Sequence, residues 1–179
     1  MKPDEYPSST PLGTRPSADP TISRLTEIFG PPSKNIGLNC GPVENEALQS
    51  LVVKDKIGPF TATMLKPALT SLQSIFSEIQ KTDPDLLKNV TNLGTICVRF
   101  GRGSSDLSTH AFGTAIDLRF DESAPSSASL ADGTAKQAKV VLFFERAGWQ
   151  WGGPSDYMHF QAGLPLIEKW IAAGELTSK

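Results

Sequence analysis

The sequence predicts an α+β fold, a small, mostly antiparallel sheet with helices packed on it. One long segment carries apolar residues at helical spacing, and several short segments alternate apolar and polar residues between Gly- and Pro-rich stretches. They also follow one another in an order that suits helices laid over a small sheet. The 179 residues are 39% hydrophobic and 20% charged, enough for one domain with a real core.

Residues 1–35 are expected to form an extended arm with a short helix. Pro3, Pro7, Pro11, Pro16 and Pro20 among Ser, Thr and Asp read as poorly ordered chain. Ile22, Leu25, Ile28 and Phe29 then make a short amphipathic stretch that stops at Gly30-Pro31-Pro32. Residues 36–179 are expected to form the main folded domain. Ile36 to Gly41 reads as loop, and Glu46 to Val53 and Pro59 to Met64 as strands. Leu65 to Gln80, with Leu69, Leu72, Ile75, Phe76 and Ile79, is the clearest helix, ended by Asp83-Pro84. Thr95 to Phe100 reads as a strand, Gly101 to Asp106 as loop, Thr114 to Phe120 as a second strand and Ser123 to Ser129 as loop. Ala135 to Ala147 is a helix capped by Gly148, Trp149 to Gln161 is aromatic and glycine-rich, and Leu164 to Ala173 is a closing helix.

Composition excludes some functions. A net charge of −2 offers no footprint for nucleic acid, and no apolar run is long enough to span a membrane. No apolar stretch follows Lys2, so no secretory signal is visible, and phage encoding or export by another route is expected. Two isolated cysteines, Cys40 and Cys97, make no disulfide framework, and the expectation is two buried thiols. A monomer is expected.

The only two histidines sit in unusual settings, Ser108-Thr109-His110-Ala111-Phe112-Gly113-Thr114-Ala115-Ile116-Asp117 and Trp151-Gly152-Gly153-Pro154-Ser155-Asp156-Tyr157-Met158-His159-Phe160. On one strand His110 and Asp117 would lie on opposite faces, roughly 23 Å apart. On a helix they would share a face at roughly 10 Å. To bind one ion the chain must turn between them, and Gly113 is placed to allow it. Alternation then puts Ala115, Asp117 and Arg119 on one strand face and Ile116, Leu118 and Phe120 on the core face. His159 is the remaining imidazole, and two His with one carboxylate is a catalytic zinc set with an open fourth position. Asp156, three residues before His159, is the candidate general base.

Ser108-x-His110-x-x-Gly113-x-Ala115-x-Asp117, with Trp151-Gly152-Gly153 and Asp156-x-x-His159-Phe160, resembles the zinc D-alanyl-D-alanine carboxypeptidases of the vancomycin-resistance type. The same family includes the L-alanyl-D-glutamate endopeptidases of phage endolysins. The resemblance covers about residues 58 to 161. It implies a hedgehog/DD-peptidase-like fold, one Zn2+ held by His110, Asp117 and His159, and Asp156 as catalytic base. It also implies a substrate-binding or oxyanion-stabilising arginine, which maps best to Arg99, with Arg102 the alternative. Ser108 either positions substrate or caps its loop, and Trp151 is expected to line the cleft. The implied substrate is the peptidoglycan stem peptide, and the implied place of action is the cell wall, in the periplasm or outside the cell.

Two other functions compete. A serine hydrolase built on Ser108, His110 and an Asp lacks a Gly-x-Ser-x-Gly elbow. A non-catalytic wall-binding or structural module would be expected to lose the base or a ligand, and here all four positions are filled.

Overall fold

The structure is a computed structural model that describes residues 20–101, 104, 106–120 and 134–177. The expected arm, the 123–129 loop and Arg102 lie outside the described residues. Helix α1 (Pro20–Phe29) buries Leu25 and Phe29, and Gly30 follows it at φ +75°. Helix α2 (Glu46–Leu51) takes six of the eight residues expected as a strand over Glu46 to Val53. Its Asn45 side chain accepts from the Leu48 N–H, an N-cap that satisfies one of the helix's orphan donors. The chain then turns directly into a hairpin of β1 (Val52–Ile57) and β2 (Phe60–Leu65), joined at Gly58.

Helix α3 (Lys66–Thr82) buries Leu69, Leu72, Ile75, Phe76 and Ile79, the stripe its spacing predicts. The second sheet has the order β3-β4-β6-β5, from β3 (Thr91–Gly94), β4 (Ala115–Arg119), β5 (Trp149–Trp151) and β6 (His159–Ala162), and every pair is antiparallel. Helix α4 (Thr134–Arg146) and helix α5 (Leu164–Ala172) complete the layer. Phe144 of α4 lies 4.2 Å, ring centre to ring centre, from Phe160 of β6, which joins helix layer to sheet. Directly paired residues share a sheet face. Phe160 pairs with Ile116 and with Trp151, so these three define the core face. The opposite face carries Asp117 paired with His159, and Ala115 paired with Gln161.

Two expectations are corrected here. The strand expected at Thr95 to Phe100 is displaced to Thr91–Gly94. The 95–100 segment makes only isolated bridges, Val98 to Gly41 and Phe100 to Leu107, because its backbone supports the loop that carries His110. The Cys97 N–H donates to the His110 carbonyl at 3.0 Å, and the Ser108 N–H to the Arg99 carbonyl at 3.0 Å. Cys40 and Cys97 are not two buried thiols. They form a disulfide with Cα atoms 5.1 Å apart, closing 57 residues of chain between an exposed and a half-buried position.

Gly113 carries the turn between His110 and Asp117. It adopts φ +69° at the end of a 3-10 turn (Thr109–Phe112), and its N–H donates to the His110 carbonyl. A Cβ there would stand 2.8 Å from the backbone nitrogen of Leu65, which itself donates to the Gly113 carbonyl. Gly113→Ala is therefore expected to cost at least about 2 kcal/mol, from the left-handed backbone and the contact with fixed main chain together. A urea titration beside the unmodified protein measures this, and an unchanged midpoint contradicts it.

Candidate metal centre

Three side chains meet on the sheet face away from the core. His110 arrives on the 3-10 turn, Asp117 on β4 and His159 at the start of β6. His110 Nε2 lies 3.2 Å from Asp117 Oδ1 and 3.2 Å from His159 Nδ1, and His159 Nδ1 lies 3.0 Å from Asp117 Oδ1. Both imidazoles are buried and Asp117 is half-buried. The Asp117–His159 approach follows from the β4–β6 register, and the His110 approach from the turn at Gly113.

The far nitrogen of each ring is held from behind. His110 Nδ1–H donates to the Thr95 carbonyl at 2.5 Å. His159 Nε2 lies 3.1 Å from Gln161 Oε1 and 3.2 Å from Thr109 Oγ1. Because Gln161 Oε1 can only accept, it selects the tautomer with the proton on Nε2. Both facing nitrogens are then bare lone pairs, aimed at each other and at a carboxylate oxygen. Three acceptors this close repel one another unless a cation lies among them. Their separations of 3.0–3.2 Å compare with the edge of about 3.3–3.4 Å in a tetrahedron with zinc's ~2.0–2.1 Å bonds. The residues present fit a small divalent ion with nitrogen and oxygen ligands.

Electrostatics agree with the donor set. Burial pushes the Asp117 carboxyl up, but in the metal-free protein the hydrogen bonds and charges that His110 and His159 offer it when their facing nitrogens carry protons outweigh burial and hold it well below the usual carboxylate range. Burial pulls His159 down, but the hydrogen bond and charge of Asp117, then the charge of Asp156, leave it above its ordinary value of 6.5. The pocket therefore attracts positive charge, and a proton competes with a metal for His159. Zinc affinity should fall as pH drops through that raised value. Without metal, the stability contributed by protonated His159 is full below 6.5 and lost as pH rises through the raised value. The contribution of ionised Asp117 is present above 3.8 and lost as pH falls through its lowered value. The increase in Tm on adding zinc is thus expected to grow from pH 5.5 to 8 in thermal melts, and a pH-independent increase contradicts this.

The other expected site residues are placed as follows. Asp156 is exposed, in the turn that delivers His159, with its N–H on the Gly153 carbonyl at 3.1 Å and its carbonyl accepting from the His159 N–H at 3.0 Å. Gly152 makes this turn close, since a Cβ there would run into the Asp156 carbonyl and stand 3.1 Å from the His159 Cβ. The Ser108 hydroxyl accepts from the His110 N–H as cap of the 3-10 turn. Arg99 is half-buried and its Nη1 donates to the Phe100 carbonyl at 2.9 Å. Trp151 does not line the cleft. It lies on the core face, buried, and its indole N–H donates to the Tyr157 carbonyl at 2.7 Å, because the β5–β6 register pairs it with Phe160.

Thr109 and Gln161 were missed by reading the sequence. Gln161 had a signal: it lies two residues after His159, on the same face of any strand. Gln161→Leu is expected to weaken zinc binding roughly 10- to 100-fold by releasing the ring's tautomer. Chelator competition measures it, and an unchanged affinity contradicts it.

Two imidazoles and a carboxylate, oriented from behind and gathered at one point, form a cluster that can hold one metal ion. Residues 102–162 match the profile of a family described as D-alanyl-D-alanine carboxypeptidase. This segment, about a third of the chain, carries all three converging side chains and is similar to that family. No curated protein and no solved structure matched the chain. No described helix is long and apolar enough to cross a membrane.

Proposed function

We propose that the protein hydrolyses a peptide bond in the peptidoglycan stem peptide, either terminal D-Ala–D-Ala or internal L-Ala–D-Glu. The observation that carries this reading is the convergence of His110 Nε2, Asp117 Oδ1 and His159 Nδ1 within 3.2 Å of one another, inside the segment that matches the family. These three residues would hold one zinc ion. Zinc bound there supplies Lewis acidity and lowers the pKa of water at its open position.

The chain's own residues do the rest. Asp156 takes the proton of the attacking water and passes it to the leaving amine. Its place supports this role: the turn from Gly152 fixes its backbone against His159, and its charge is felt at the His159 ring. Arg99 is assigned the growing negative charge on the scissile carbonyl oxygen. Its backbone bonds to Ser108, two residues before His110. Ser108 positions substrate through the loop it caps. The place of action is the cell wall, and the Cys40–Cys97 disulfide suits an oxidising compartment.

Purified sacculi digested with zinc-supplemented protein test the reading by mass spectrometry. One new amine and one new carboxyl terminus per cleaved stem peptide are expected, abolished by a chelator and restored by zinc. Intact sacculi in the presence of zinc-loaded protein would favour a non-catalytic wall module.

A further inference from the structure

Arg119 is a cation without a carboxylate on the sheet face that carries the metal centre. It shares that face of β4 with Asp117, two residues before it, roughly 7 Å along the strand. The Asp117–His159 pairing continues through the Leu118 N–H, which donates to the Met158 carbonyl at 2.8 Å. Arg119 itself pairs with Thr91 of the edge strand β3. Among the described residues Arg24 pairs with Glu27 and Glu168, Lys88 with Asp85, and Lys139 with Asp83. Arg119 has none among the described residues. Its Nε is buried and finds no acceptor, although the side chain as a whole is half-buried. A buried donor without an acceptor is costly in a folded protein, and a guanidinium fork matches a carboxylate with two parallel bonds.

We propose that Arg119 anchors a free carboxylate of the substrate and makes the site selective for acidic peptides. The proposal rests on the peptidase reading and adds a specificity determinant to it. The carboxylate it takes lies within about two residues of the scissile bond, given the strand spacing and the reach of an extended peptide. Under the L-Ala–D-Glu reading, the glutamyl residue beside the scissile bond supplies such a group.

Two synthetic stem peptides, identical except that this carboxyl is free in one and amidated in the other, are the probes. With the zinc-loaded protein, KM is expected to be roughly tenfold or more lower for the free acid, as a charge-assisted pair provides. Arg119→Gln should raise KM for the free acid to the value of the amide and leave kcat unchanged, and R119K should recover part of the preference. Melting temperatures of both variants should stay close to that of the unmodified protein. Equal KM values for the two peptides, or a preference that survives in R119Q, overturns the proposal. A variant that only melts earlier, with selectivity intact, overturns it too. Equilibrium binding of the same pair with the scissile amide reduced to an amine, measured by calorimetry, separates the two readings. Absence of turnover in the first assay counts against the peptidase, while the free-acid preference in binding decides for or against Arg119.

Discussion

Replacing His159 with alanine is expected to abolish zinc binding and hydrolysis together. The ring supplies one of three ligand atoms, and its removal leaves His110 and Asp117 facing each other across 3.2 Å with no third group. Loss of even a supporting hydrogen bond to a ligating histidine costs 10- to 100-fold in metal affinity, so loss of the ligand itself should exceed about 100-fold. The fold should survive. The hydrogen bonds that hold residue 159 in place are main-chain, from the Gly152 N–H to its carbonyl at 2.7 Å and from its own N–H to the Asp156 carbonyl at 3.0 Å. Chelator competition and peptidoglycan digestion on the same preparation check both losses. Full zinc affinity in His159→Ala would contradict the ligand assignment.

Asp156→Asn is expected to separate binding from chemistry. The amide keeps the size of the carboxylate and the turn, but it cannot accept a proton. A general base contributes roughly 10²- to 10⁴-fold, so kcat should fall by that much while zinc stays bound and KM changes little. Asp156→Glu should retain part of the rate, since a longer carboxylate from an exposed turn can still reach the cleft. An Asp156→Asn protein with unimpaired kcat would show that the base lies elsewhere.

Much of the metal centre was legible because geometry left few choices. His110 and Asp117 are seven positions apart, and no regular element brings both to one ion, so a turn was needed, for which Gly113 was the residue placed. Alternation in Ala115–Arg119 likewise separates the face of Asp117 from that of Ile116 and Leu118, as observed. Helix α3 was legible from its apolar stripe, which tertiary packing only reinforces.

What was not legible depended on contacts distant in the chain. Thr95 to Phe100 has the β-branched and aromatic residues of a strand, yet Thr91–Gly94 pairs with β4 instead. Strand propensity measures fit to a half-buried surface, and that surface is set by the partner. Glu46–Leu51 is too short for periodicity to tell helix from strand, and its start is decided by the Asn45 cap. Trp151 looked like a cleft residue from its motif, but only the register with Phe160 tells which face it takes. The disulfide joins cysteines 57 residues apart, and their sequence neighbourhoods carry no sign of the pairing.

The claim beneath the rest is that a single cation lies among His110 Nε2, Asp117 Oδ1 and His159 Nδ1. Diffraction from zinc-grown crystals at the zinc absorption edge tests it most directly. One anomalous peak about 2 Å from all three atoms is the expected result. A peak at other side chains, or none here in zinc-saturated protein, would contradict it.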